Sequence, residues 1–128
     1  AALGVLLAPA AWRFGRLRSR LSLAASGGTT GAHAAWDELT DYTRDLGVPA
    51  EPTRSVREQA ADWRRRFGLQ QPTVEELATE EERARYADDP EIAPVDKALG
   101  EVRAQVGEAV GRGRRWRAAL LPRSLWRR

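Results

Sequence analysis

The chain has no cysteine, no methionine and only one histidine, and each scarcity excludes a class of chemistry. Without cysteine there is no disulfide, no thiolate nucleophile and no thiolate metal site. With His33 alone, a Ser-His-Asp triad would be a coincidence and a histidine metal cluster cannot form. Because position 1 is not methionine, we expect a fragment of a longer polypeptide, whose chemistry could lie elsewhere.

Long apolar runs are scarce as well. Residues 1–12 carry no charge, and four arginines follow within the next eight positions. A complete membrane span takes about 20 apolar residues, so residues 1–21 are predicted to be only the end of a transmembrane helix, with its arginines on the cytoplasmic side. A signal-peptide remnant, whose charges would lie on the other flank, and a soluble helix are the alternatives. The expected membrane-proximal residues are Trp12, Arg13, Arg16, Arg18 and Arg20.

Residues 22–32 are small, polar and rich in glycine, as in Ser26–Gly31. This composition is typical of a flexible linker. We therefore expect it to separate the membrane exit from one helical cytoplasmic domain at residues 33–128.

Charge is unevenly distributed along the chain. Residues 1–32 hold four arginines and no acid, for a charge of +4, while residues 33–91 hold 15 acids and 8 arginines, for −7. Residues 92–128 hold 9 bases and 3 acids, for +6. The acidic middle weighs against a nucleic-acid interface, which needs a basic face.

Apolar residues recur at helical spacing in the expected domain. A stripe that includes Ala35 and Leu39 predicts a first helix over about 33–46. A capping box at Ser55–Glu58 predicts the start of a second helix, which Gly68 closes.

A similar cap at Thr73–Glu76 predicts a third, more solvated helix, which the prolines of residues 88–94 break. The long stripe Val95–Val110 predicts a fourth helix, which Gly111 and Gly113 bend or end. A short fifth helix is expected near the C-terminus. No strand pattern is present, so the fold class is all-α, a small bundle of about four helices with a short C-terminal fifth.

The stripes also predict the structural core. Its expected members are Trp36, Leu39, Tyr42, Leu46, Val56, Trp63, Phe67, Leu99, Val102, Val106 and Trp116. The tryptophans could instead form a base-stacking platform, because Trp63 precedes Arg64–Arg66 and Trp116 is flanked by arginines. A small nucleic-acid-binding helical module is therefore the alternative function.

Neighbouring carboxylates such as Glu80–Glu82 indicate a solvated face rather than a catalytic pair, because adjacent helical residues do not face each other. His33, at a predicted helix start, is interpreted as a surface side chain. Gly27-Gly28 lacks the lysine of a phosphate-binding loop. We assign no catalytic, cofactor-binding or metal-binding residue.

The C-terminal segment mixes arginines with large apolar residues, and two interpretations stay open. Trp116 and Leu120 could close the bundle, or the segment could lie on the anionic inner leaflet or on a partner. The second interpretation uses Arg112, Arg114, Arg115, Arg117, Arg123 and Trp126.

Five short motifs together are similar to a known family: Ala35–Leu39, Asp45–Gly47, Ser55–Glu58, Glu82–Ala87 and Leu120–Leu125. In their order and spacing, residues 34–126 resemble the cytoplasmic C-terminal domain of actinobacterial TgpA-type membrane proteins of the transglutaminase-like superfamily. The run Thr79–Glu82 departs from that pattern, where more apolar residues are usual.

The resemblance implies a parent protein with membrane helices, an extracytoplasmic papain-like domain bearing a Cys-His-Asp triad, and this tail at the cytoplasmic face of the plasma membrane. It implies no triad residue in this chain. The partners that it implies are a MoxR-type AAA+ ATPase or a von Willebrand-like protein. We therefore expect a non-catalytic interaction or regulatory tail, and we regard a free-standing hydrolase as the weakest alternative.

Overall fold

The computed structural model describes residues 2–69 and 72–120, with side chains at 11–69 and 72–113. Five helices occupy these residues, and no strand occurs among them, so the prediction of an all-α fold is confirmed. The helices are α1 (Ala2–Ser26), α2 (Gly28–Asp45), α3 (Val56–Phe67), α4 (Thr73–Tyr86) and α5 (Asp96–Leu120).

The N-terminal third differs from the prediction. No helix of the described residues is both long and apolar enough to cross a membrane, so the expected end of a transmembrane helix at residues 1–21 is not supported. The stretch 22–32 is helical on both sides of Gly27, so the prediction of an unstructured linker there is wrong. Ala24 and Ala32 are buried, and α1 packs along α2.

Two glycines explain why this stretch packs tightly. Gly27 has φ of 73°, which lets the chain reverse between α1 and α2 without strain. A Cβ on Gly31 would lie 2.6 Å from the carbonyl oxygen of Leu23, so only glycine allows this close approach. The segment before α5 joins the same corner, since Val95 donates its backbone N–H to the Ala24 carbonyl at 3.0 Å.

Local signals set the limits of α3 as predicted. The Ser55 hydroxyl accepts from the Glu58 backbone N–H at 3.2 Å. Gly68 ends the helix in the left-handed conformation, with φ of 62°. At α4, by contrast, Thr73 is the first helical residue, and Pro72 holds the N-cap position without a side-chain cap bond.

The long α5 also departs from the prediction. It continues without interruption past Gly111 and Gly113 to Leu120, so no separate fifth helix begins within the described residues. Trp116 belongs to α5 by its backbone, and its side chain lies outside the described residues.

The core lies where the apolar stripes of α2, α3, α4 and α5 meet. Trp63 is 0% exposed, and its ring centroid lies 5.0 Å from that of Trp36. Tyr42 and Leu46 are only partly buried against this core. The other expected core residues with described side chains are buried: Leu39, Val56, Phe67, Leu99, Val102 and Val106.

Three carboxylates are buried among these helices, although the sequence favoured solvated faces: Glu38, Asp62 and Glu81. Asp62 accepts from Arg54 at 2.8 Å, which ties the α2–α3 connection to α3. Arginine pairing offsets part of the desolvation that a buried carboxylate would otherwise suffer.

Glu81 is 2% exposed and links α4 to α2. Its oxygens lie 2.9 Å from the Nδ1 atom of His33, so His33 is half-buried in a helix contact and not a free surface side chain. The Nε atom of Arg85 donates to Glu81 at 2.7 Å, and this hydrogen bond is the largest influence that raises the pKa of Arg85.

Asp37 lies beside this network without joining it. None of the ion pairs among the described residues includes Asp37. Asp37 is exposed at the surface, and partial loss of hydration is the main cause that raises its carboxyl pKa. Arg20 and His33 oppose the increase, and Glu81 and Asp41 add to it. The raised pKa means that the charged form of Asp37 is less favourable in the folded chain than in the unfolded chain.

Replacing Trp63 with alanine tests the core. We expect Trp63→Ala to lower the free energy of unfolding by about 3 to 5 kcal/mol, because it empties a fully packed site. Trp12→Ala on α1 is the matched control, since Trp12 is 64% exposed and its loss should change stability little. Urea unfolding followed by circular dichroism measures both. Equal midpoints for the two variants would contradict the assignment of Trp63 to the core.

A second variant tests the electrostatics of Asp37. The pKa of Asp37 is higher in the folded chain than in the unfolded chain, where it is about 3.9, so protonated Asp37 favours the folded state. This contribution is complete at pH values below the unfolded pKa, and it is lost as the pH rises through the folded pKa. We therefore expect Asp37→Asn to be slightly more stable than the parent at pH 7, with the advantage vanishing in acid. The effect is small because Asp37 is exposed and solvent screens its charge. Melting temperatures across that pH range measure it, with Asp88→Asn in the exposed α4–α5 connection as control. A less stable Asp37→Asn protein at pH 7 would refute the electrostatic explanation.

Candidate functional site

The middle of α1 exposes two large aromatic side chains among arginines. Trp12 is 64% exposed and Phe14 is 60% exposed. The guanidinium carbon of Arg16 lies 4.8 Å from the Trp12 ring centroid, and that of Arg18 lies 5.9 Å from the Phe14 centroid. Both pairs have the spacing of one helical turn, at which cation–π contacts form on a helix surface. We call the exposed surface formed by Trp12, Arg13, Phe14 and Arg18 the basic aromatic face. Trp12 and Phe14 are two residues apart and lie on different sides of α1, so this surface extends around the helix.

The predicted membrane-proximal residues divide into two groups. Trp12, Arg13 and Arg18 are exposed, whereas Arg16 and Arg20 lie against α2. The sequence analysis did not select Phe14. Phe14 precedes Arg18 by four residues, as Trp12 precedes Arg16. This repeated aromatic–arginine spacing is the sequence signal that could have identified Phe14.

Arg20 attaches α1 to α2. Its Nη1 nitrogen donates to Glu38 at 2.9 Å and to Asp41 at 2.7 Å. Desolvation is the largest single influence on its pKa and lowers it, but the hydrogen bonds and charges of the two carboxylates outweigh desolvation, so the pKa of Arg20 is raised. Arg16 adds a longer ion pair to Asp41 at 3.9 Å.

Glu38 also contacts α5. The Nε atom of Arg103 lies 3.8 Å from Glu38, and its guanidinium carbon lies 4.2 Å from the Tyr42 ring centroid. Glu38 on α2 is therefore placed between arginines of α1 and α5. Glu38 thus accepts a hydrogen bond from α1 and makes a longer ionic contact with α5.

These contacts place two basic segments at one end of the bundle. The Arg20–Glu38 and Arg16–Asp41 pairs make α1 antiparallel to α2. The chain before α5 lies beside the first residue of α2, and Arg103 lies beside Glu38, so α5 runs parallel to α2. At this register Trp12 is level with the end of α2. The helix α1 therefore begins, and α5 ends, beyond the end of α2.

The C-terminal candidates are described only in part. Arg112 is exposed on α5. Arg114, Arg115 and Arg117 follow on the same helix by their backbone, and their side chains lie outside the described residues. Arg123 and Trp126 also lie outside the described residues.

The alternative base-stacking platform is not formed at Trp63. That ring is fully buried, and its neighbouring arginines contact acids: Arg64 donates to Glu75 at 2.9 Å, and Arg66 donates to Asp62 at 2.9 Å. A stacking platform needs an accessible ring beside unpaired basic groups. Among the described side chains, no cluster of three or more potential metal ligands occurs.

Comparison of the chain with protein-family models, with curated proteins and with solved structures finds no match.

The attachment of α1 is tested at Glu38. We expect Glu38→Gln to lower the free energy of unfolding by about 2 kcal/mol, because it weakens charged hydrogen bonds while Arg20 keeps Asp41. Amide exchange should accelerate in α1 more than in α4. Glu101→Gln on the exposed side of α5 is the control.

A double-mutant cycle that combines Glu38→Gln with Arg20→Gln measures how much of the stability loss comes from the Arg20–Glu38 ion pair. A coupling free energy near zero between the two substitutions would show that Glu38 does not hold α1.

Proposed function

We propose that this chain is a non-catalytic interaction or regulatory module that operates at the cytoplasmic face of the plasma membrane. The observation that supports it best is the placement of the basic aromatic face and the arginine-rich end of α5 at the same end of the bundle. Trp and Phe side chains flanked by arginines suit the headgroup region of an anionic leaflet.

The rest of the bundle supports an interaction role rather than catalysis. The chain has no cysteine, and its one histidine contacts the buried Glu81. The buried carboxylates pair with arginines across helix contacts. A catalytic acid or base needs a cleft in which it meets a substrate. These groups instead hold helices together.

The family resemblance extends the proposal. In it the chain is the regulatory tail of a membrane-anchored transglutaminase-like protein, and a MoxR-type AAA+ ATPase or a von Willebrand-like protein is its partner. The basic aromatic face would then set the orientation of the bundle relative to the membrane surface, which leaves the far sides of α3 and α4 accessible to that partner.

Vesicle binding tests the membrane contact. We expect residues 1–128 to sediment with phosphatidylcholine vesicles that contain phosphatidylserine, and to bind neutral vesicles less. Arg13→Gln with Arg18→Gln should weaken binding roughly thirtyfold, at about 1 kcal/mol for each arginine. Trp12→Ser with Phe14→Ser should also weaken it, because it removes the buried aromatic area.

Tyr86→Ser is the matched aromatic control, because Tyr86 is 77% exposed on α4 and outside the basic aromatic face. Arg65→Gln is the control for charge. Equal binding by all variants, or no binding to anionic vesicles at low salt, would refute the membrane contact. Salt-dependent retention on DNA or RNA by a protein that ignores vesicles would favour the nucleic-acid alternative.

A further inference from the structure

Two arginines of the bundle are incompletely paired. The Nη1 atom of Arg16 on α1 lies 3.9 Å from Asp41, and the Nε atom of Arg103 on α5 lies 3.8 Å from Glu38. These distances are longer than a hydrogen bond. The Nε atoms of both guanidiniums also have no hydrogen-bond partner among the described residues. The two side chains are 27% and 26% exposed, so a ligand in solution can reach them.

The register of the helices brings these two arginines to the same level. Val95, just before α5, donates its backbone N–H to Ala24, near the end of α1. Arg16 lies eight residues before Ala24, and Arg103 lies eight residues after Val95. Because α1 and α5 are antiparallel and contact each other, equal numbers of residues from that bond reach the same height. We call Arg16 and Arg103 the seam arginines, since they lie on the two sides of the α1–α5 contact.

Other arginines already satisfy the acids that the seam arginines approach. Arg20 donates to Glu38 at 2.9 Å and to Asp41 at 2.7 Å. Arg44 donates to Asp41 at 3.3 Å. Asp37 also acts on Arg20, but it lines a cavity between α2 and α4, away from α5. The two paired carboxylates are thus balanced by two arginines, and the seam arginines are an excess of two positive charges.

An aromatic ring packs against each seam arginine. The guanidinium carbon of Arg16 lies 4.8 Å from the Trp12 ring centroid, and that of Arg103 lies 4.2 Å from the Tyr42 ring centroid. A ring that stacks on a guanidinium orients it and leaves the N–H groups at its edge able to bind an anion. Guanidiniums bind phosphate oxygens with two parallel hydrogen bonds. A phosphate monoester carries a charge of about −1.5 to −2 at pH 7, which matches the excess of the seam.

We propose that Arg16 and Arg103 together bind a phosphate monoester group at the seam between α1 and α5. The group can belong to a lipid, as in phosphatidic acid, or to a soluble phosphate, and its chemistry at the two guanidiniums is the same. For a lipid, the inference rests on the proposed function, because Arg16 packs on Trp12 of the basic aromatic face. It adds selectivity for one headgroup, which attraction to negative charge alone does not give.

Vesicle binding tests the lipid source. We expect the whole chain to bind phosphatidylcholine vesicles that contain phosphatidic acid about tenfold more tightly than vesicles that contain phosphatidylserine at the same surface charge. The reason is that the monoester offers more free oxygens and a denser charge to the two guanidiniums. Arg103→Gln should reduce the ratio of the two affinities to about one. Arg83→Gln on α4 removes the same charge elsewhere and should keep the ratio.

A soluble probe tests the same site without a membrane. Titration of the whole chain with sn-glycerol 3-phosphate, at an ionic strength held constant with sodium chloride, should shift the Nε–Hε NMR signals of Arg16 and Arg103 saturably. Glycerol should not shift them. Arg65, whose side chain is 73% exposed on α3, supplies the reference signal for unspecific attraction. Saturable shifts without a preference for phosphatidic acid would assign the site to a soluble phosphate, and the reverse result would assign it to the lipid.

Absence of both the lipid preference and the saturable shifts would overturn the proposal, and so would a folded Arg103→Gln protein that keeps them. The first outcome is measured on the unmodified chain and does not depend on a variant folding. Shifts with glycerol phosphate in a chain that binds no vesicles would refute the membrane contact and keep the site. Vesicle binding with neither preference nor shifts would keep the membrane contact and refute the site.

Discussion

The architecture depends on one buried carboxylate, Glu38, which lies between Arg20 of α1 and Arg103 of α5. A carboxylate removed from water is costly unless charged donors replace its hydration. Arg20 of α1 donates a hydrogen bond to Glu38, and Arg103 of α5 adds a longer ionic contact, so the charge of Glu38 is best offset when both helices lie against α2. The requirement for pairing thus becomes a requirement for one particular arrangement of three helices.

The same principle recurs elsewhere in the bundle. Glu81 joins α4 to α2 through His33, and Asp62 joins the α2–α3 connection to α3 through Arg54. The apolar contacts around Trp63 supply most of the driving force, because the hydrophobic free energy grows roughly in proportion to the apolar area that is buried. This free energy is non-directional, so it does not by itself specify one arrangement of the helices. Ion pairs with specific partners then select one packing among several that would bury similar area.

This arrangement separates two surfaces with different chemistry. Arg16 and Arg20 contact acids of α2, whereas Trp12, Arg13, Phe14 and Arg18 are exposed to solvent. A cavity beside Trp36 and Asp37 lies nearer the middle of α2, between α4 and the segment leading into α3.

Short-range physics determined much of the fold before any packing was known. The Ser55 cap and the left-handed Gly68 follow from backbone geometry over a few residues, and the spacing of Val56, Trp63 and Phe67 follows from 3.6 residues per turn. The helical class, most of the core and the extent of α3 could therefore be predicted.

Contacts between distant residues determined the rest. The run around Gly27 and Gly31 has the composition of a flexible linker, yet the same small residues allow two helix backbones to touch, and composition does not distinguish these outcomes. Whether Glu81 is solvated or buried depends on His33, which lies 48 residues earlier in the chain. Burial and close backbone approach are properties of pairs of segments, so no local pattern of residues contains them.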